Sequence, residues 1–175
     1  YTRQTFSKDR YTIWTMQSNY HNLPLINGVP QKHGATYKAT QVQADKRKNT
    51  FTANIATAYP AEAEVESWIR SYSLQKGQLR ISDSFRLTTA KQPNQINFMT
   101  WGQVNTEIPG KIQLEVKGKK AFIEYDKQLF DVKTETIPLT DPRLSNVWGK
   151  SIYRITLTAT NIYKTGNYSF IIKKQ

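Results

Sequence analysis

Polar and apolar side chains alternate most cleanly over residues 78–87. Leu79, Ile81, Phe85 and Leu87 share one parity there, and Arg80 and Arg86 fall on the other. A period of two is the pattern of a strand with one dry face and one wet face. Residues 65–74 form a strand-like run just before it, joined by Gln75-Lys76-Gly77 as a turn. Residues 111–116 also alternate, and residues 121–125 answer them across the basic turn Lys117-Gly118-Lys119-Lys120, which predicts a hairpin. A second hairpin is predicted from residues 35–42 and 50–58, with the charged tip Asp45-Lys46-Arg47-Lys48-Asn49 between them. Further strands are expected over 95–101, 129–139, 151–158 and 168–173.

The segments between these runs read as connections. Residues 102–110, which contain Pro109, are expected to be a loop, and residues 144–149 to be irregular after an Asp141-Pro142 turn. Gly166-Asn167 reads as a turn. Pro60 followed by Glu62 and Glu64 predicts a single helical turn over 59–64. Residues 1–10 are polar and basic without periodicity. Residues 11–16 are apolar on both parities, and fit either a strand or a short helix capped by Ser7 or Asp9.

About ten short strands, no long amphipathic helix and no repeat of fixed period predict an all-β fold, an antiparallel two-sheet β-sandwich. No Pro-, Gly- or Ser-rich linker divides residues 1–175, so one domain is expected. The stretch from Asn19 to Gly34 is where histidine, amides, a short apolar run and turn residues converge, and it holds both histidines, His21 and His33. Leu23 to Ile26 followed by Asn27-Gly28 reads as a short buried strand ending in a tight turn. His21 and Asn22 would then sit at the strand's entry, anchored and able to face a cleft. The plainer alternative is a histidine held for structural reasons by its neighbours.

Composition narrows the possible functions. The 25 Lys and Arg outnumber the 13 Asp and Glu, a formal charge of +12. That excess concentrates polyanions near the surface. Nucleic acid, acidic polysaccharide and anionic membrane all qualify, and so does a basic surface with no specific partner. No nucleic-acid motif is present, and charge alone would give only salt-sensitive, non-specific binding. No apolar run is long enough to span a membrane, and no signal peptide is visible. The chain starts at Tyr1, which suggests a processed protein or a piece of a longer one. The absence of cysteine removes disulfides and thiolate chemistry.

Candidate chemistry is sparse. No Gly-x-Ser-x-Gly elbow is present, and two histidines do not support a Ser-His-Asp centre. His21 and His33 are not joined by a spaced carboxylate, so a complete zinc site within this chain is not expected. No pair of carboxylates stands out for glycoside hydrolysis, and Gly-rich phosphate loops are absent. Basic and aromatic residues interleave at Tyr37-Lys38, at Trp68-Ile69-Arg70-Ser71-Tyr72 and at Tyr153-Arg154. Such residues stack on sugar rings or bases and pair with acidic groups, or they are ordinary strand composition packed inward. Asn167-Tyr168-Ser169 matches a glycosylation sequon.

The run from Tyr11 to Gln31, with His21-Asn22, Asn27-Gly28 and Gln31, resembles the His-Asn, Asn/Asp-Gly, Gln signature of heparinase II/III-like proteins. Ala56 to Pro60, Trp68-Ile69-Arg70, Trp148-Gly149 and Tyr153-Arg154 are similar to later blocks of that family's C-terminal region. The resemblance covers nearly the whole chain. It implies a polysaccharide lyase of Gram-negative bacteria, periplasmic or secreted, with an α/α toroid ahead of a β-sandwich. Such enzymes cleave uronic-acid polysaccharides, glycosaminoglycans among them, by β-elimination. The family's His-x-His-x-Asp and Asp-x-Gly steps precede the His-Asn motif and are not in this sequence. The resemblance therefore implies that residues 1–175 are the C-terminal sandwich of a larger lyase-like protein. His21 would be one ligand of a zinc site, incomplete here, that exists only in the full-length protein. No catalytic residue and no cofactor are expected in this chain alone, which should be inactive. The implied partners are acidic polysaccharide and the toroid of the same parent. The rival expectation is a non-catalytic module that binds acidic polysaccharide.

Overall fold

The computed structural model describes residues 3–175. Its strands are β1 (Pro24–Leu25), β2 (Thr40–Asp45), β3 (Thr50–Asn54), β4 (Val65–Gln75), β5 (Gln78–Leu87), β6 (Gln95–Thr100), β7 (Gln103–Ile108), β8 (Lys111–Val116), β9 (Lys119–Glu124), β10 (Phe130–Pro138), β11 (Ser151–Ala159) and β12 (Thr165–Lys174). Among the described residues there is one α-helix, α1, which covers Pro142–Trp148. All strand pairs are antiparallel. A four-stranded sheet has the order β1-β6-β11-β10, and an eight-stranded sheet the order β2-β3-β4-β5-β12-β9-β8-β7. The two pack together as an all-β sandwich. Among the described residues no helix is long and apolar enough to cross a membrane.

The alternation in β5 does what its sequence demands. Ile81, Phe85 and Leu87 are buried while Arg80 and Arg86 stay in solvent. Aromatic rings from both sheets fill the middle layer. Trp68 stacks on Phe85 with centroids 4.8 Å apart. Phe130 meets Tyr168 at 4.7 Å and Phe98 meets Phe170 at 5.4 Å, joining the small sheet to the large one. Offset and edge-on aromatic pairs of this kind add to the gain from burial itself.

Four segments differ from the sequence expectation. Residues 11–16 are neither a strand nor a capped helix: the turns Arg10–Thr12, Trp14–Met16 and Ser18–Tyr20 are 3-10, and the Asp9 side chain does not cap the first of them. The expected loop at 102–110 contains β7, an edge strand exposed at every residue but the half-buried Val104, so little burial imposed an alternation on its sequence. The expected irregular stretch at 144–149 lies largely within α1. The Asp141 carboxylate accepts the Arg143 N–H at 3.0 Å, Pro142 occupies the first turn and Gly149 closes the helix at φ 85°, a set of start and stop signals that suffices for two turns. Gly166-Asn167 lies inside β12, where a Cβ on Gly166 would fall 2.9 Å from the Phe85 ring. The sequon Asn167-Tyr168-Ser169 is thus in a strand. Residues 1 and 2 of the aperiodic start lie outside the described residues, and Arg3–Phe6 form a 3-10 turn. Short 3-10 turns also take up Ala56–Ala58 and Ala61–Ala63, around the expected helical turn.

Gly102 carries the chain from β6 in the small sheet to β7 at the edge of the large one. A Cβ there would meet Val116 Cγ2 at 2.6 Å and the Glu115 carbonyl oxygen at 2.8 Å. The crossover fits only a residue without a side chain.

Candidate functional site

The segment that carries His21 is fixed by hydrogen bonds along its length. Asn27 and Gly28 adopt φ of 51° and 77° and close a two-residue turn bridged by Ile26 and Val29. Asn27 is buried. Its side-chain Nδ2 donates to the carbonyls of Ala63 at 2.9 Å and Thr89 at 2.8 Å, and its Oδ1 accepts the Lys91 N–H at 2.9 Å. The Tyr59 hydroxyl donates to the Pro24 carbonyl at 2.6 Å. Burial is the main force lifting the Tyr59 phenol far above its ordinary range, so it remains a donor. Asn97 donates from its backbone and its side chain to the Leu23 carbonyl.

Asn22 holds two tethers. Its Oδ1 accepts the Met99 N–H at 2.7 Å, and its carbonyl accepts from Arg70 Nη1 at 3.0 Å. Arg70 is 3% exposed and Asp83 1% exposed. Arg70 donates through Nε and Nη2 to the two oxygens of Asp83, each at 2.7 Å, and Trp68 Nε1 donates to Asp83 Oδ1 at 2.8 Å. Burial pulls the Arg70 pKa down, but the charge and hydrogen bonds of Asp83 outweigh it and the net direction is up. The guanidinium is permanently charged and every group in the network has a partner. Such a pair is worth keeping once made, because an unmatched charge at this depth is costly.

His21 follows the 3-10 turn Ser18–Tyr20, and the residue is exposed. Nε2 lies 3.2 Å from the Thr15 carbonyl. A carbonyl only accepts, so Nε2 carries the hydrogen in this contact, and in the neutral ring the lone pair is on Nδ1. The ring helps line a cleft of about 320 Å³ together with Trp14, Tyr20, Met99, Trp101 and Trp148. Trp14 and Tyr20 meet edge to face at 5.2 Å, and Trp101 and Trp148 at 6.3 Å. The Arg154 guanidinium sits 4.6 Å from the Tyr20 ring centroid and pairs with Glu135 at 2.6 Å. Flat aromatic walls beside a single imidazole make a place for a ring that has both apolar faces and polar edges.

The other candidates go elsewhere. His33 stacks on Tyr11, centroids 3.6 Å apart and planes 8° apart, beside a different groove. Trp68 and Arg70 are core residues closed to a ligand, and Tyr72 of the same stretch is half-buried beside Phe51. Lys32 places its ammonium 5.4 Å from the Tyr37 ring. Among the described residues no group of three His, Asp or Glu side chains gathers in a metal-holding arrangement. At this cleft His21 is the one zinc-binding side chain among the described residues, so they do not by themselves make up the zinc site that the resemblance implies. Sequence reasoning missed the tryptophans. Of the four in the chain, three line this cleft and only Trp68 lies in the core. Only Trp148 lay in an expected connection; Trp101 ended an expected strand and Trp14 sat in the stretch that fitted either a strand or a helix, so the sequence carried little signal for the three together.

Compared with known families and curated proteins, the chain matches no family model and no curated protein.

Proposed function

We propose that this chain is the C-terminal β-sandwich of a heparinase II/III-like polysaccharide lyase, working in the periplasm or outside the cell on acidic polysaccharide. The observation that carries this reading is an exposed imidazole, held on a segment locked to both sheets, at the side of a cleft walled by tryptophans. The tryptophan faces suit the C–H faces of sugar rings, and the excess of Lys and Arg favours approach of a polyanion. β-Elimination needs a base for the proton α to the uronate carboxylate and a group that stabilises the charge developing there. This chain would contribute His21 as one ligand of the parent's zinc and no catalytic group. The remaining groups belong to the toroid of the parent, and the sandwich's share is to orient His21 and wall the cleft.

The test follows the new unsaturated bond by ultraviolet absorbance on heparan-type and alginate-type substrates. The parent protein is expected to be active and residues 1–175 alone inactive. His21→Ala in the parent is expected to lower kcat/KM by about 100-fold or more, the scale of a lost acid–base or ligand group. Activity in the isolated sandwich, or full activity in the variant parent, overturns the reading.

The charge of +12 favours a second reading, a non-catalytic module for acidic polysaccharide. Heparin retention unchanged by His21→Ala, with a parent that has no lyase activity, would select it.

A further inference from the structure

A second concavity lies at one end of the sandwich, where the inner face of the large sheet changes from hydrocarbon to lysine. The register fixes the change. Ile112, Ile123 and Ile172 form one inward row across β8, β9 and β12, and Ile112 and Ile123 are buried. The next inward row is Leu114, Ala121 and Lys174, and the last is Val116 and Lys119. Thr100, the final residue of β6 in the opposite sheet, lines the other side, and the open groove has a volume of about 680 Å³. The groove thus has an aliphatic floor and ammonium groups at its rim. Lys173, on the outward parity, pairs with Glu124 at 2.7 Å. Among the described residues no carboxylate lies within ion-pair distance of Lys119 or Lys174. Two inward-parity lysines left without an acid, over a greasy floor, match a ligand with an apolar face and an anionic edge. Thr100 also lines the His21 cleft, so the two concavities adjoin.

We propose that this groove is an anionic-sugar subsite continuous with the His21 cleft, in which Lys119 and Lys174 take the carboxylate or sulfate of an acidic sugar whose ring lies on Leu114, Val116 and Ala121. The proposal rests on the reading that the chain meets an acidic polysaccharide, but it does not need the chain to belong to a lyase. A chain crossing the cleft at His21 reaches the groove past Thr100, and the lysines recognise it away from the imidazole. Lysine, a compact charge on a flexible stem, accepts either anion.

The test titrates residues 1–175 calorimetrically with a heparin-derived hexasaccharide and, in a second arm, with an oligogalacturonate, at about 0.15 M salt so that diffuse charge is screened beyond about 8 Å. Lys119→Gln with Lys174→Gln is compared with Lys46→Gln with Lys76→Gln, which removes the same charge from exposed turns. The groove pair is expected to weaken binding by about tenfold or more, about 1.4 kcal/mol, and the turn pair by no more than about twofold. In the wild type the methyl resonances of Leu114 and Val116 are expected to shift on titration. The arm that binds more tightly tells sulfate from carboxylate. Equal weakening by the two pairs, no binding of either oligosaccharide, unmoved methyls, or equally tight binding of single-stranded DNA each overturns the proposal. Loss of lyase activity in the parent on His21→Ala is a separate readout, so the failure of one reading does not mimic failure of the other.

Discussion

Asp83 sits in phase with Ile81 and Phe85 on the inward side of β5, and Arg70 in phase with Trp68 on β4. A carboxylate and a guanidinium on dry parities of neighbouring strands must find each other, and here they do so through two charge-assisted bonds, with Trp68 Nε1 donating a third to Asp83. Asp83→Asn leaves the guanidinium without its counter-charge and is expected to cost about 3–5 kcal/mol in urea unfolding. Replacing both partners, Arg70→Met with Asp83→Leu, is expected to cost less than the single change, leaving chiefly the Trp68 Nε1 and Asn22 carbonyl without partners, about 1–3 kcal/mol each if they stay dry. A double variant as unstable as the single one would contradict this account. The pair was legible in the strand phase: two charged residues occupy positions where the pattern calls for hydrocarbon. It went unread because Arg70 also belongs to an aromatic-basic run of the kind that binds sugars. The position of His21 at the entry of β1 was legible from Leu23 to Gly28, since an apolar run before Asn-Gly has few other solutions. Its surroundings were not, because Trp14, Trp101 and Trp148 come from three separate connections.

α1 shows how a short element is set by its ends. Seven residues cannot hold a helix by propensity alone. The Asp141 cap starts it, and Leu144 and Trp148 turn toward the cleft that His21 shares. The Arg143 side chain is the first cause, and its backbone N–H the second, that brings the Asp141 carboxyl down to about 2. A carboxylate whose pKa falls on folding contributes fully above its unfolded value near 4, and that contribution is lost as pH drops through the folded value. The cap is therefore expected to hold at pH 5 and to fail between about pH 4 and pH 2. Trp148 emission should shift to the red over that window, and Asp141→Ala should show the shifted spectrum already at pH 7. A spectrum unaffected by the substitution would mean that α1 is held by its packing instead. The strands with one buried face were readable at this scale because burial enforces alternation. β7 was not, since only Val104 is even half-buried, and Gly166 was misread as a turn residue because what excludes a side chain there is Phe85, far away in sequence.

Over the whole molecule, charge and apolar cover are arranged differently. The sandwich buries its aromatic layer while the lysines and arginines lie mostly at turns, edges and outward positions. Attraction from such a surface depends on salt. Retention on heparin is expected to fall steeply between about 0.1 M and 1 M NaCl, as the screening length shrinks from about 10 Å to about 3 Å. Retention independent of salt would point to apolar contacts as the source of affinity. The double hold on Asn22 has a thermodynamic consequence. The backbone that carries its neighbour's imidazole cannot shift without disturbing a hydrogen bond that reaches the buried charges inside the sandwich. An occupant that steadies the imidazole will consequently raise the melting temperature, and a remote softening of the interior will loosen the occupant without touching it.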